Sequence, residues 1–270
     1  MITAFVENSY NSMRIMEKKY ELTDNVINHN GRTLYRIRAL RGFSDVKAGN
    51  LGGYIQTEDN LSHEGDAWVY GYAKVYDDAC VFGNASISDI AEVYNNAKVY
   101  NDAKVSGFAE VSGNACVNHN AKVYDNAEVY GDAHVYGDAI VYEFSNILGR
   151  AIIREDAEIH GSAIVRDNAQ VYDNAEVCGS AVVGGRAHIV GDAKVKNRAD
   201  YIVFKNFWSS GRYFTWTRSN NKWKAGCFHG TGEELINKAY ADSEKSGREY
   251  ERVVRYVESI LADEEKENKT

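Results

Sequence analysis

From Ala67 to Ala199, small and aliphatic residues recur every six positions without an insertion or a deletion. The unit reads corner-corner-Ala-x-Val-x, as in Gly65-Asp-Ala-Trp-Val-Tyr70 and Asp125-Asn-Ala-Glu-Val-Tyr130. Of the 23 alanine slots, 22 hold Ala and the other is Ser145; two residues on, the slot holds Val 17 times and Ile five times. A fixed hexad predicts a solenoid of short parallel strands.

Strand geometry explains the unit. Side chains alternate faces, so Ala and Val line the inside of a coil and the two x positions face outward. Ala sits beside a corner, where the walls converge, and the β-branched residue fills the middle of a wall. The corner pair is mostly Gly, Asn or Asp, which tolerate the positive φ of a tight turn. Three hexads close one triangular coil of eighteen residues. The repeat then builds seven to eight coils, each rising about 4.8 Å, in a rod roughly 35 Å long.

The flanks break the hexad. Residues 1–15 are polar and aperiodic and read as an extension. Residues 16–66 predict a β cap with an irregular first coil: Asn28-His-Asn-Gly31 is a turn cluster, and Thr33–Leu40 alternates after it. Such a cap shields unpaired backbone at the open end. The β-helix is expected over residues 67–201. Residues 202–230 are aromatic and predict a hairpin around Ser219-Asn220-Asn221. Residues 231–262 predict two helices, opened by the capping boxes Thr231-Gly-Glu-Glu234 and Ser246-Gly-Arg-Glu249. The second carries an apolar stripe of Tyr250, Val253, Val254, Val257, Ile260 and Leu261, expected to pack on the hairpin or the last coil. Residues 263–270 form a charged tail expected to fray.

The spacing of an aliphatic residue and, four places on, a small one (Val69 to Ala73, Val75 to Ala79) resembles the hexapeptide repeat of left-handed parallel β-helix proteins. That resemblance, not the periodicity, implies left-handed coiling. With Tyr20-Glu-Leu-Thr-Asp24, Leu34–Leu40 and Asp45–Ile55, the order of cap, solenoid, aromatic hairpin and paired helices is similar to the YdcK-type hexapeptide-repeat proteins of bacterial and phage genomes. The fold class that follows is mainly β: a single-stranded left-handed parallel β-helix with an N-terminal β cap and a small C-terminal α+β module. The resemblance brings no established activity; a transferase label in such families rests on fold analogy.

Composition narrows the function classes. A net charge of −8 argues against general nucleic-acid or anionic-membrane binding. No apolar run has membrane-span length and the N-terminus has no signal-peptide core, which favours the cytoplasm. Cys80, Cys116, Cys178 and Cys227 read as free thiols, since Cys80 and Cys116 share a wall but lie two coils apart. Proline is absent altogether, for which we have no physical account.

The catalytic inventory is thin. Hexapeptide-repeat acyltransferases, which this chain resembles in its coil, interrupt the repeat with a protruding loop and use a histidine as general base. Here the hexads run unbroken. His134 and His188 fall at outward positions of one wall three coils apart, His119 at a corner, and His160 at the outer position after Ile159. None has a carboxylate at an evident orienting position, and the four lack the closely spaced pair that a resemblance to γ-type carbonic anhydrases, with three zinc-binding histidines across an interface, would imply. Cys227 and His229 flank Phe228 without a ligand partner at metal spacing. The expectation is therefore no catalytic residue, no metal and no cofactor.

The outer surface is more telling. In steps of eighteen along one corner stand Tyr72, Ile90, Phe108, Asn126, Phe144, Ser162, Ser180 and Arg198. Tyr72, Ile90, Phe108 and Phe144 replace the polar residues that serve the other corners, forming an apolar ridge that calls for a cover. Tyr76 and Tyr94 run beside it, with a column of Glu92, Glu110 and Glu128 of which Lys74 offsets only the first member. Leu148, Ile164 and Val182 form a second outward apolar patch, read as a contact for an oligomer or for the C-terminal module. These features favour a non-catalytic scaffold that offers the ridge and acidic strip to a protein partner or to a second copy in a dimer or trimer. In the phage setting that the resemblance implies, such a protein would be an inhibitor or accessory factor. The alternatives are an acyl-CoA-dependent acyltransferase acting as a trimer and a self-assembling filament subunit.

Overall fold

The computed structural model describes residues 17–267; the extension expected over 1–15 lies outside them. From Trp68 to Val195 every hexad contributes one two-residue strand, and the strands stack in parallel into three walls. We number the walls in the order the chain meets them. The first has eight strands, from Trp68–Val69 to Lys194–Val195. The second has seven, from Lys74–Val75 to Val182–Val183, and the third seven, from Cys80–Val81 to His188–Ile189. Residues eighteen apart are always partners, as with Val105 and Val123 or Glu110 and Glu128.

The inside of the tube is formed by the Ala and Val slots, which are buried from Ala67 to Val195. Ser145 is buried too, and its hydroxyl donates to the Tyr142 carbonyl at 2.7 Å, so its polar atom is satisfied. The first residue of each corner pair adopts positive φ, whether it is Gly107 (70°), Asp125 (58°) or Glu143 (57°). Two of the three corners add a ladder of bonds between side chains along the rod. Asn84 donates to Asp102 and Asn120 to Asp138 on one; Asn96 donates to Asn114, and Asn114 to Asp132, on the other.

At the N-terminal end, β1 (Tyr20–His29), β2 (Arg32–Ala39) and β3 (Leu51–Ile55) extend the second wall, with β1 and β2 antiparallel and β3 parallel to Lys74–Val75. Gly52 of β3 lies so close to the first coil that a Cβ would come within 2.7 Å of Ile37, Val69 and Trp68. The exposed rung is closed by donors from the cap. Tyr54 and Gln56 amides donate to Ala73 and Val75, Asn60 Nδ2 to Ala79, and Lys19 Nζ to Ala67 at 2.7 Å. Lys19 is fully buried, and burial, reinforced by Arg41, lowers its pKa to about 8.

The C-terminal end is closed by side chains. Thr215 Oγ accepts from the His188 amide, Ser219 Oγ from Lys194, and the Tyr201 hydroxyl donates to the Val182 carbonyl. These residues belong to an antiparallel sheet of four strands: Tyr201–Lys205, Tyr213–Thr217, Lys222–Ala225 and Phe228–Gly230. The expected hairpin is thus its middle pair, and the segment from Tyr201, read as the end of the repeat, opens the sheet instead. Helices α1 (Gly232–Asp242) and α2 (Glu244–Glu267) pack Leu235, Ile236, Val254 and Val257 on Phe214, Trp216 and Trp223.

Two local expectations need correction. The Thr231 capping box forms, but the second helix begins before Ser246: Ser243 Oγ accepts from the Ser246 amide, so Ser246 lies in the first turn. That helix also continues past Ala262 to Glu267, where fraying was expected; Arg218 of the sheet pairs with Glu264 at 2.6 Å and holds it.

Candidate functional site

The ridge corner differs from the other two in its side chains. Tyr72, Phe108 and Phe144 are 62%, 64% and 63% exposed, and Ile90 is 36% exposed. Phe108 and Phe144 stand two coils apart, roughly 10 Å, with Asn126 between them. Nothing among the described residues covers Phe108 or Phe144; Tyr72 has the Arg36 guanidinium 5.8 Å from its ring. The corner turns themselves are formed by Gly71, Asp89, Gly107, Asp125 and Glu143 at positive φ, so the neighbouring apolar residues are not needed for the turn.

The flank of the ridge is only partly open. Tyr76 is buried and stacks on Tyr94 at 5.1 Å, under His29 and Arg32 of the cap. Glu92 is tied on every side: Lys74 Nζ donates to it at 2.9 Å, the Tyr76 hydroxyl at 2.9 Å, and His29 Nε2 lies 2.9 Å away. Against the burial that raises it, these three partners hold its carboxyl below the usual range. Tyr76 and Glu92 are therefore withdrawn from the surface offered to a partner. Glu110 accepts from the Tyr94 hydroxyl at 2.8 Å. Glu128, directly above it, is exposed, and its carboxylate has no hydrogen bond or ion pair among the described residues. Tyr94, Glu110, Ser112, Glu128 and Tyr130 line a shallow depression of about 190 Å³.

The second patch is half-buried. Ile164 and Val182 are adjacent rungs of the second wall and Leu148 lies close by, but none joins the core of the C-terminal module. Elsewhere, a depression of about 940 Å³ lies beside the cap on a polar corner between Arg32, Asn60, Asp77, Asn96 and Asn114. Its charged pair, Arg32 and Asp77, is mutually satisfied at 2.5 Å.

The histidines divide. His134 is exposed, with Cys116 and Ile152 as its rung neighbours. His188 is lowered in pKa by burial and by the cations Lys224 and Arg154. His119 turns a corner at φ 57° against Asn118. His160 corrects the expectation that no carboxylate orients any of them. Its Nε2 lies 3.3 Å from Glu176 and its Nδ1 3.8 Å from Glu143, and its ring stacks on Tyr142 at 4.9 Å. Cys178, buried in the next coil, joins His160 and Glu176 so that one ligand atom of each lies within 4.8 Å of the others. Lys194 pairs with the second Glu176 oxygen at 2.6 Å and is the main cause that holds this carboxyl at about 2. All four cysteines are free thiols.

A family model described as the YdcK Beta solenoid repeat matches residues 169–185, a stretch that carries three consecutive strands, one on each wall. The repeat of this chain is of the YdcK type. The matched stretch is a piece of the wall and corner pattern, so it speaks for the repeat and for no chemistry. A comparison with curated proteins finds no match. Among the described residues no helix is long and apolar enough to cross a membrane.

Proposed function

We propose that this repeat protein is a non-catalytic scaffold whose ridge corner binds another protein. The observation that carries the reading is the trio of Tyr72, Phe108 and Phe144, each more than three-fifths exposed on one edge of a rigid body. Exposed aromatics at regular spacing on a preformed surface lose little conformational freedom on binding and suit the role of interface anchors. Glu110 and Glu128 beside them favour a partner face that is apolar at its centre and basic at its rim. The closed coil ends weigh against a filament, because Lys19, Asn60, Thr215 and Ser219 occupy backbone groups that stacking copies would need.

The test is a Phe108→Asn, Phe144→Asn double variant. Asn126 already occupies the same column, so the coils should keep their thermal midpoint. The protein that co-purifies stoichiometrically with the wild type from its own cells should be lost, with affinity reduced at least a hundredfold for two central anchors. Retention of the partner by a folded double variant would refute the ridge as the binding edge. A variant that melts earlier but keeps its partner would assign the ridge to stability instead.

A further inference from the structure

We propose that His160, Glu176 and Cys178 form a binding site for one divalent transition-metal ion of the zinc type. The site follows from the geometry of the wall. Glu176 and Cys178 are outward residues two apart on one coil, and His160 stands one coil before Cys178 in the same column. Three side chains with nitrogen, oxygen and sulfur donors thus form a triangle on rigid backbone. Their donor atoms lie within 4.8 Å of one another, with His160 Nε2 and Glu176 Oε1 3.3 Å apart. Ligands around tetrahedral zinc, at bond lengths of about 2.0–2.3 Å, stand roughly 3.3–3.8 Å apart. Rotations of side chains suffice to close the set.

The surroundings match what such a site requires. Glu143 lies 3.8 Å from His160 Nδ1, on the side away from Glu176, so a small rotation would let it accept from Nδ1–H and leave Nε2 for the metal, as carboxylates do behind metal-binding imidazoles. Glu143 is itself anchored, accepting from the Gly161 amide at 2.7 Å. Stacking on Tyr142 fixes the ring plane. Lys194 holds one oxygen of Glu176 and leaves the other toward His160. A thiolate and a carboxylate balance the charge of a divalent ion, and Lys194 stays paired with the second oxygen of Glu176. Among the described residues no other trio of His, Cys, Asp or Glu comes together in this way. Three protein ligands leave one position for water or another small donor.

Cobalt(II) added to the reduced full-length chain tests the site, because a cobalt–thiolate bond gives a near-ultraviolet charge-transfer band. The expected result is saturation at one equivalent, a tetrahedral visible spectrum, and displacement by zinc. Cys178→Ser should abolish the charge-transfer band while Cys116→Ser leaves it unchanged. His160→Ala should weaken binding strongly. Glu143→Gln should retain the band with affinity lowered about 10- to 100-fold, a change that a merely structural residue would not produce. Circular dichroism of each variant checks that the coils remain folded. Absence of saturable one-to-one binding, or a thiolate band that survives Cys178→Ser, overturns the assignment.

Discussion

Lys19 offers the sharpest test of how the open end of the coil is closed. Its ammonium is fully buried, donates to the carbonyls of Ala67 at 2.7 Å and Gly65 at 3.3 Å, and lies 5.1 Å from the Phe43 ring. Burial lowers its pKa from 10.5 to about 8. The unfolded chain therefore binds more protons than the folded one between pH 8 and 10.5, and stability rises with pH across that window. Integrating the two titrations from pH 7 to pH 9.5 gives a gain of about 2 kcal/mol, or roughly 4–8 °C in melting temperature for a chain of this size. Tyrosines with raised pKa, Tyr20 and Tyr76 among them, act with the opposite sign as the pH nears 10, so the comparison must be with Lys19→Met. That variant fills similar space and keeps every tyrosine. Its absolute stability combines a relieved buried charge with two carbonyls left without a donor, so only its slope against pH is diagnostic. Thermal unfolding of both proteins at pH 7 and 9.5 should show the gain in the wild type alone. Equal pH dependence in the two would refute a buried, charged lysine as the cap.

Further outcomes follow from packing. Val129→Asp places an unpaired charge in the fully buried centre of the tube and should unfold or fray the middle coils, lowering stability by more than about 3 kcal/mol; an unchanged melting curve would reverse inside and outside. Gly52→Ala drives a methyl group into Ile37, Val69 and Trp68 and should cost about 1–3 kcal/mol, read as faster hydrogen exchange in β3 and the first coil. Thr215→Val with Ser219→Ala removes the acceptors for the His188 and Lys194 amides and should destabilise the last coil by about 1–3 kcal/mol per orphaned group, with exchange accelerated there and unaltered in the first coils.

The body of the fold was legible because each hexad repeats the same local instructions: Ala at the corner, Val in the wall, and a residue tolerant of positive φ between. The ends were less so. The sequence gives no sign that Lys19 is drawn into the cap, since its partners Gly65 and Ala67 are 46 and 48 residues away. Lys74 beside Glu92 is legible in the column, but the second partner, His29, comes from the hairpin 63 residues away. Ser246 satisfies the helix-start pattern as well as Ser243 does, and only the tight link between the helices decides for Ser243. The partners of His160 are distant along the chain and sit on both outward columns of its wall. Glu176 and Cys178 are sixteen and eighteen residues on, the spacing at which this architecture brings side chains together. Searching for titratable residues at one-coil intervals would have found them.

The eighteen-residue turn makes the body an indexed shaft. Adding one whole coil would slide the C-terminal module along the axis by about one strand spacing, roughly 4.8 Å, and leave its bearing unchanged. Adding a single hexad would preserve every Ala and Val slot but swing the module a third of a turn about the axis. The ridge would then face a different side relative to the terminal sheet and helices. Length in such a chain is thus quantised twice over, in reach by eighteens and in azimuth by sixes. Two features on separate coils can be brought into line, or moved out of it, without altering a single contact inside the tube.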